Sequence, residues 1–284
     1  MNDGNPTAVV AGHLGCDVLV VRGPEAVSYL QGQVSADVVT LEPGQSTLAL
    51  LLEPTGKLEA VLRLWRTDEN VVLIDTDRGA GDEVEARLRR FQLRTDATIE
   101  RLEWDRVVIR GPGATRWSER LEGTGAELVG LGMWPGVEGL DLLGPDVEVP
   151  GDLDPASPEL LESMRITAGW PAPGSEVVPG VIPAEIGPWL ITAAVSFDKG
   201  CYVGQELTAR IDSRGGNVPR RLRSFELDEG RSAVPGHEIV DEEGSPVGTV
   251  TSAAEDPRTG RFVVCGYVRR AAGDSEALSV RPAQ

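Results

Sequence analysis

The run KGCYVGQE, residues 199–206, places an amine, a thiol, an amide and a carboxylate around two glycines. Glycine allows positive φ values and close backbone approach, so the run is typical of a contact site rather than of a hydrophobic core. Cys201 is its distinctive member, because a thiol becomes a nucleophile or a metal ligand only as the thiolate. Lys199 and a helix predicted to begin near Gln205 would both favour that thiolate. A packed cysteine in a tight turn is the alternative, and the residues alone leave both open.

The composition, with 40% hydrophobic and 25% charged residues in 284, is ordinary for a globular protein. The first fifteen residues have no basic start and no long apolar run, so we expect neither a signal peptide nor a membrane span. Cys16, Cys201 and Cys265 lie far apart, which argues against a disulfide framework and for a reducing, cytoplasmic location. Because no CxxC pair occurs, no four-cysteine metal site is expected.

The net charge of −18 opposes broad nucleic-acid binding, which needs a basic surface. Residues 198–223 differ from the rest, since six basic residues there face three acidic ones and give a local charge of +3. The basic residues are Lys199, Arg210, Arg214, Arg220, Arg221 and Arg223. A positive segment in an acidic protein suits a small polyanionic ligand better than a duplex, and a solvated basic turn is the alternative.

An internal repeat predicts a duplicated α/β unit. VVRGPEA at 20–26 and VIRGPGA at 108–114 match at a fixed offset of 88 residues. Each copy follows a β-branched run and precedes a helix-like stretch, with proline shortly before the helix as is usual at helix starts. One match of this length also leaves coincidence open.

The sequence between the two copies predicts three strands at 47–53, 58–66 and 71–75, followed by an amphipathic helix at 82–93. Strands joined by hairpins and then a helix indicate an α+β fold with antiparallel sheets.

Further along the chain, Ser157 is a predicted N-cap, with Pro158 at the first helical position. Residues 217–284 contain short strands and turns with almost no helical period, which predicts a small β domain, a barrel. Cys265 lies inside this domain and is expected to be a buried structural thiol.

Hydrolytic and dinucleotide chemistries are poorly supported by the residues present. A cysteine or serine nucleophile normally needs a histidine base. His13 and His237 are the two histidines of the chain, and neither has a recognisable catalytic context. The chain has no GxGxxG or P-loop pattern.

Five segments together resemble the folate-binding YgfZ family, whose relatives include the glycine-cleavage T-protein, an aminomethyltransferase. The most specific is the segment around Cys201. The segments are YLQGQVSADV (29–38), LLEPTGKLEA (51–60), MRITAGWPAPGSEV with VIPAEIG (164–177 and 181–187), AVSFDKGCYVGQELTARI (194–211) and GSPVGTVTSA (244–253).

The resemblance implies a fold and a cellular role. Two intertwined α/β units in residues 1–216 would surround a central tetrahydrofolate cleft, and residues 217–284 would form a C-terminal β-barrel. The implied role is the assembly or repair of iron–sulfur enzymes, with an indirect effect on tRNA modification. Folate and iron–sulfur client proteins or their assembly machinery are the implied partners.

The resemblance also implies site residues. Cys201 would be the reactive or ligand-transfer thiol, and Lys199 would lower its pKa or hold an anion. Gln205 and Glu206 would position the turn by hydrogen bonds. The implied cofactor-binding set is Gln33, Asp37, Arg165, Glu185, Tyr202, Gln205 and Glu206, with no metal site.

One departure separates the chain from the T-protein. The T-protein has a pair of Asp residues just after its glycine hairpin, one of them catalytic, and an Asp where Cys201 stands. Here residues 58–61 contain Glu59 and no Asp, which disfavours aminomethyl transfer. Two alternatives stay open: a folate-dependent one-carbon transferase or demethylase, and an RNA or protein scaffold that uses the arginines of residues 210–223.

Overall fold

The structure, a computed structural model, describes residues 8–270 and 278–283. The strands within those residues are, in chain order, β1 (Val10–His13), β2 (Cys16–Arg22), β3 (Ser46–Leu52), β4 (Leu58–Asp68), β5 (Val71–Asp77), β6 (Thr98–Leu102), β7 (Asp105–Arg110), β8 (Leu128–Leu131), β9 (Gly139–Gly144), β10 (Asp154–Pro155), β11 (Arg220–Glu226), β12 (Glu238–Val240), β13 (Pro246–Asp256), β14 (Arg261–Arg269) and β15 (Ser279–Arg281). The α-helices are α1 (Ala26–Gln33), α2 (Gly81–Phe91), α3 (Pro158–Ala168), α4 (Pro183–Ile186), α5 (Pro188–Ala194) and α6 (Gln205–Asp212), and a 3₁₀ helix spans Ala114–Glu119. None of these helices is long and apolar enough to cross a bilayer.

The chain forms two compact units that alternate along the sequence. The first unit comprises Gly15–Trp104 and Ala172–Asn217. The second unit combines the N-terminal strand β1 with Asp105–Pro171 and with the chain from Val218 onward. Residues distant in sequence therefore build each unit. The predicted division into residues 1–216 and 217–284 stays a prediction.

The first unit is built on one antiparallel sheet in the order β3-β4-β5-β2-β6. Alternate residues of these strands point to one face, where they pack with α1 and α2. Leu62, Leu64 and Ile74 on this face meet Leu30 and Leu88 of the helices in one apolar core. The three predicted strands and the predicted helix at 82–93 are thereby confirmed, within two residues at each end.

The opposite face of this sheet carries buried charge. Arg63 Nε donates to Asp75 Oδ1 at 2.9 Å and Nη2 donates to Oδ2 at 3.2 Å. The indole Nε1 of Trp65 also donates to this carboxylate, and the guanidinium lies 4.3 Å from the centre of the Trp65 ring. A buried pair of this kind adds little net stability, but it penalises any register that would break it.

The second unit contains two sheets. One has the order β10-β1-β7-β9-β8, in which all pairs are antiparallel except β1 with β10. The other has the order β11-β14-β13-β12-β15, is antiparallel throughout, and encloses an apolar core that includes Ile239, Val250 and Val264. Cys265 is buried in this second sheet, as predicted. The expected α+β class with a C-terminal β domain is confirmed.

The repeated RGP sequence has the same local structure in both units. Gly23 follows β2 with φ of 137°, and Gly111 follows β7 with φ of 129°. In each copy the glycine carbonyl accepts a 3.0 Å hydrogen bond from the alanine three residues later. The following helix differs, since α1 is an α-helix and its counterpart at 114–119 is a 3₁₀ helix. The predicted N-cap of α3 is also present, because Ser157 Oγ accepts a hydrogen bond from Leu160 N at 3.2 Å.

Gly23→Ala is expected to lower the free energy of unfolding by about 3 kcal/mol, since a Cβ there would lie 2.5 Å from the Asp96 carbonyl oxygen in a left-handed backbone conformation. Gly44→Ala is the matched control. Gly44 has φ of 89° but no atom within 4 Å of its Cβ position, so only the backbone strain of about 1 kcal/mol remains. Urea unfolding of both variants measures the difference, and equal losses would show that close packing at Gly23 is unimportant.

Candidate functional site

The run 199–206 lies in the first unit, in the connection between α5 and α6. Cys201 is exposed, whereas Cys16 and Cys265 are buried, and none of these three described cysteines is in a disulfide. The structure therefore presents Cys201 to solvent and not in the interior of a tight turn.

Lys199 fixes the run to the segment after α1. Its Nζ donates to the carbonyl oxygens of Val34 at 2.8 Å and Ala36 at 2.6 Å. Burial lowers the pKa of this amine to about 8, with the nearby Asp37 carboxylate opposing the shift. Two of its three donors thus hold the backbone of the next segment. Its predicted effect on the thiol pKa stays a prediction.

The turn after Cys201 is held by one hydrogen bond within the run and one to α1. Tyr202 N donates to Gln205 Oε1 at 3.1 Å, and Val203 N donates to the Gly32 carbonyl at 3.1 Å. Gln205 begins α6, so its side chain ties the turn to the helix start. Tyr202 is buried, which raises its pKa to about 12, and its ring centre lies 5.1 Å from Lys199 Nζ. Glu206 is exposed in the first turn of α6.

Two glycines bring the run against the hairpin between β3 and β4. Gly204 has φ of 83°, and a Cβ there would lie 2.5 Å from the Glu53 carbonyl oxygen and 2.7 Å from Leu52 Cβ. Gly56 in the hairpin has φ of 81°, and its Cβ would lie 2.4 Å from Leu207 Cβ of α6. Both positions therefore require glycine for conformation and for space.

Ser35, within the motif YLQGQVSADV, joins three segments of the first unit, a role that was not predicted from the sequence. Its hydroxyl is fully buried, donates to the Ala194 carbonyl at 2.6 Å and accepts from Leu50 N at 2.7 Å. It links the segment after α1 to β3 and to the end of α5. The sequence signal for this role is a small hydroxyl residue, Ser35, two positions after LQGQ.

A polar cluster lies beside the hairpin and consists of the buried Arg87 with the half-buried Gln33 and Glu59. Arg87 donates to Gln33 Oε1 at 3.3 Å and to the Leu52 carbonyl at 3.2 Å, and its guanidinium lies 3.8 Å from the centre of the Phe91 ring. Arg87 Nε and Glu59 Oε2 are both buried and form an ion pair at 3.1 Å. Burial raises the pKa of Glu59 despite this guanidinium.

Arg87 was missed in the sequence, although a signal was present. It lies three residues after Val84 and four before Phe91, within the apolar stripe of α2. A basic residue on the core-facing side of an amphipathic helix indicates a buried polar partner.

Two other predicted residues of the first unit, Asp37 and Glu185, have structural partners. Asp37 Oδ1 accepts from Gln31 Nε2 at 3.0 Å and from Val39 N at 3.2 Å, so it fastens its own loop. Glu185 is buried, and its carboxylate accepts from Ile182 N at 3.1 Å.

Arg165 belongs to the second unit, whereas the other predicted site residues belong to the first. It donates to the Trp170 carbonyl at 2.6 Å and pairs with the Glu162 carboxylate at 2.7 Å. Within the described residues, no group of three His, Cys, Asp or Glu side chains could hold a metal ion.

Comparison with known proteins agrees with this architecture. Residues 220–283 match the sequence family of the glycine cleavage T-protein C-terminal barrel domain. The crystal structure of the glycine cleavage system aminomethyltransferase T from Bartonella henselae superposes with a TM-score of 0.72 at 20% identity, covering 94% of this chain and 80% of that one. The fold is therefore that of the aminomethyltransferases.

Sequence relatives place the chain more narrowly. It is 30% identical to the tRNA-modifying protein YgfZ of Cronobacter sakazakii, over 83% of this chain and 77% of the relative. It is 25% identical to the aminomethyltransferase of Lysinibacillus sphaericus, over 88% and 75% of the two chains. The chain belongs to the YgfZ family, which confirms the resemblance of its motifs.

Gly204→Ala is expected to lower the free energy of unfolding by about 3 kcal/mol and to displace the Cys201 turn, because the new methyl group would overlap the hairpin. Gly200→Ala, in the same run, has no atom within 4 Å of its Cβ position and should change stability by less than about 0.5 kcal/mol. Urea unfolding with NMR spectra of the turn amides distinguishes the two. Similar behaviour of both variants would contradict the packing described for Gly204.

Lys199 should titrate near pH 8 rather than near its usual value of 10.5. Since Lys57 is the other lysine, the Lys57→Arg variant labelled with ¹³C at lysine Cε gives a single titrating signal. Because the folded-state pKa lies below the unfolded one, the unfolded chain binds more protons between pH 8 and 10.5, and stability should rise with pH there. A midpoint near 10.5 would contradict the burial of this amine.

Proposed function

We propose that this protein is a cytoplasmic, reduced-folate-binding factor that supports the assembly or repair of iron–sulfur enzymes through Cys201, with an indirect effect on tRNA modification. The observation that carries the proposal is the exposed Cys201, presented on a turn that Lys199 and Gly204 hold in place. The YgfZ relative of Cronobacter sakazakii is a tRNA-modifying protein, which supports the link to tRNA.

A single exposed thiol suits transfer rather than storage of an iron–sulfur cluster. Clusters are generally held by four cysteine thiolates, and this chain offers one accessible thiol. The proposed step is a ligand exchange. The Cys201 thiolate binds an iron of the client's cluster while another thiolate leaves that iron, and no atom changes oxidation state. None of the three cysteines, all within the described residues, forms a disulfide, which also supports the reducing compartment.

The residues near the hairpin fit a reduced folate. Glu59 Oε2 is buried in an ion pair with Arg87 Nε at 3.1 Å, and Gln33 accepts from the same guanidinium. The pterin ring presents neighbouring N–H groups, and a carboxylate can accept hydrogen bonds from both. Glu59 and Gln33 would hold this ring. A bound reduced folate would supply an amine carrier for one-carbon groups. Tyr202, Gln205 and Glu206 remain proposed contacts, as do Asp37, Arg165 and Glu185.

The Glu59–Arg87 pair also favours a second candidate, a folate-dependent one-carbon transferase or demethylase of the aminomethyltransferase type. A carboxyl with a raised pKa next to a guanidinium is suited to proton transfer. Release of formaldehyde, or its transfer to tetrahydrofolate, from a methylated amine would favour this candidate. Binding of tetrahydrofolate without turnover favours the maturation factor.

Cys201 should be the one thiol that iodoacetamide modifies in the native protein, since Cys16 and Cys265 are buried. Mass spectrometry of the labelled chain measures this, and Cys201→Ala should take up no label. Tetrahydrofolate is expected to slow the reaction at least about fivefold by covering the turn. An unchanged rate at saturating folate, shown by calorimetry, would contradict a folate site beside Cys201.

In cells that lack the protein, Cys201→Ala should fail to restore iron–sulfur enzyme activity, with at least about a tenfold deficit against the unmodified chain. Cys16→Ala is the matched control because it removes a buried thiol, and it should restore activity at equal abundance on immunoblots. Full restoration by Cys201→Ala would refute the role of this thiol. Tetrahydrofolate titration of the same variant separates loss of folate binding from loss of the thiol.

A further inference from the structure

A groove in the second unit lies between the start of α3 and the β13–β14 hairpin. It has a volume of about 650 Å³ and is lined by Pro158, Glu159, Glu162, Ala253, Ala254, Glu255, Pro257 and Phe262. Ala253, Ala254 and Phe262 in its lining are half-buried, and the three glutamates are exposed at its rim.

The groove lies along the edge of β13. Successive side chains of a strand point to opposite faces, yet Ala253, Ala254 and Glu255 all line the groove. Three consecutive residues share one cavity where that cavity contacts the backbone of the strand as well as its side chains. The groove therefore reaches the backbone of this stretch.

The backbone at this edge has a strand partner on one side. β12 pairs with β13 through Pro246, Gly248 and Thr249. A bulge between Val250 and Ser252 then turns β13, and from Ala253 to Asp256 β14 is its one strand partner among the described residues. Bulges of this kind end pairing on one side of a strand. Residues 253–255 thus offer a sheet edge that can accept an added strand.

The charges at the rim identify the chemistry of the occupant. Glu162 is neutralised by Arg165, at 2.7 Å. The nearest arginines of the β13–β14 hairpin are engaged elsewhere, Arg258 with Asp256 and Arg261 with Glu226, each at 2.6 Å. Glu159 and Glu255 have no ion-pair partner in the described part of the chain. A bound segment that carries cationic side chains would neutralise these two glutamates.

We propose that residues 253–255 of β13 and the adjoining groove form a docking site for an extended segment of a partner protein, with apolar side chains flanked by Lys or Arg. The segment adds a strand to β13, its apolar side chains lie against Ala254 and Phe262, and its cations meet Glu159 and Glu255. The site does not rest on folate or on Cys201.

The test uses the full chain and a fluorescein-labelled acetyl-Lys-Val-Thr-Val-Arg-amide peptide. Fluorescence anisotropy should show saturable binding, and hydrogen exchange should slow at the amides of residues 253–255. A peptide N-methylated at both valines keeps the side chains but cannot pair along the edge, and it should not bind. A peptide with Glu in place of Lys and Arg should also fail to bind.

The double variant Glu159→Gln with Glu255→Gln should weaken binding about fivefold. Glu243→Gln, an exposed glutamate in the β12–β13 turn, is the matched control and should bind normally. Equal binding of the N-methylated peptide, or an unchanged double variant, would overturn the proposal, as would no saturation up to about 1 mM. Slower exchange at residues 253–255 on concentrating the protein alone would assign the edge to a second copy instead.

Discussion

The close approach of two glycines is the constraint on which the candidate site depends. Gly204 lies against the Glu53 carbonyl, and Gly56 lies against Leu207, so the turn that carries Cys201 sits directly on the β3–β4 hairpin. Each glycine has a positive φ, and neither position has room for a methyl group. The thiol itself contributes nothing to this packing. Its position is determined by backbone contacts on one side and by the Lys199 amine on the other.

Polar groups, rather than apolar ones, determine the details of the first unit. Its apolar core on α1 and α2 would tolerate many hydrophobic side chains of similar volume. The Arg63–Asp75 pair, the Ser35 hydroxyl and the Arg87 guanidinium each require particular partners at particular distances. Such groups are costly when unpaired in the interior, so they select one arrangement of strands and turns among those that the core would allow.

Much of the fold could be predicted from apolar runs and turn residues. The strands at 47–53, 58–66 and 71–75 are rich in apolar residues and are separated by turns, and Ser157 with Pro158 marks a helix start. The segment ATRWSE has a helical composition but forms a 3₁₀ helix, because a single short turn is decided by its surroundings rather than by propensity. The family resemblance located the turn of Cys201. It could not locate the Arg87 cluster, since the partners of a buried guanidinium come from three separate segments of the chain.

The alternation of the two units along the sequence determines the order in which they can be completed during synthesis. The first unit needs Ala172–Asn217 to join Gly15–Trp104, and β1 of the second unit must wait for β7 before it has a neighbouring strand. Contacts of such sequence separation form late, because the intervening chain must be ordered first. Most of the first unit's sheet therefore leaves the ribosome well before the segment that carries Cys201. A truncated chain that ends before residue 199 would contain the hairpin without its thiol, so incomplete products carry no reactive sulfur at this position.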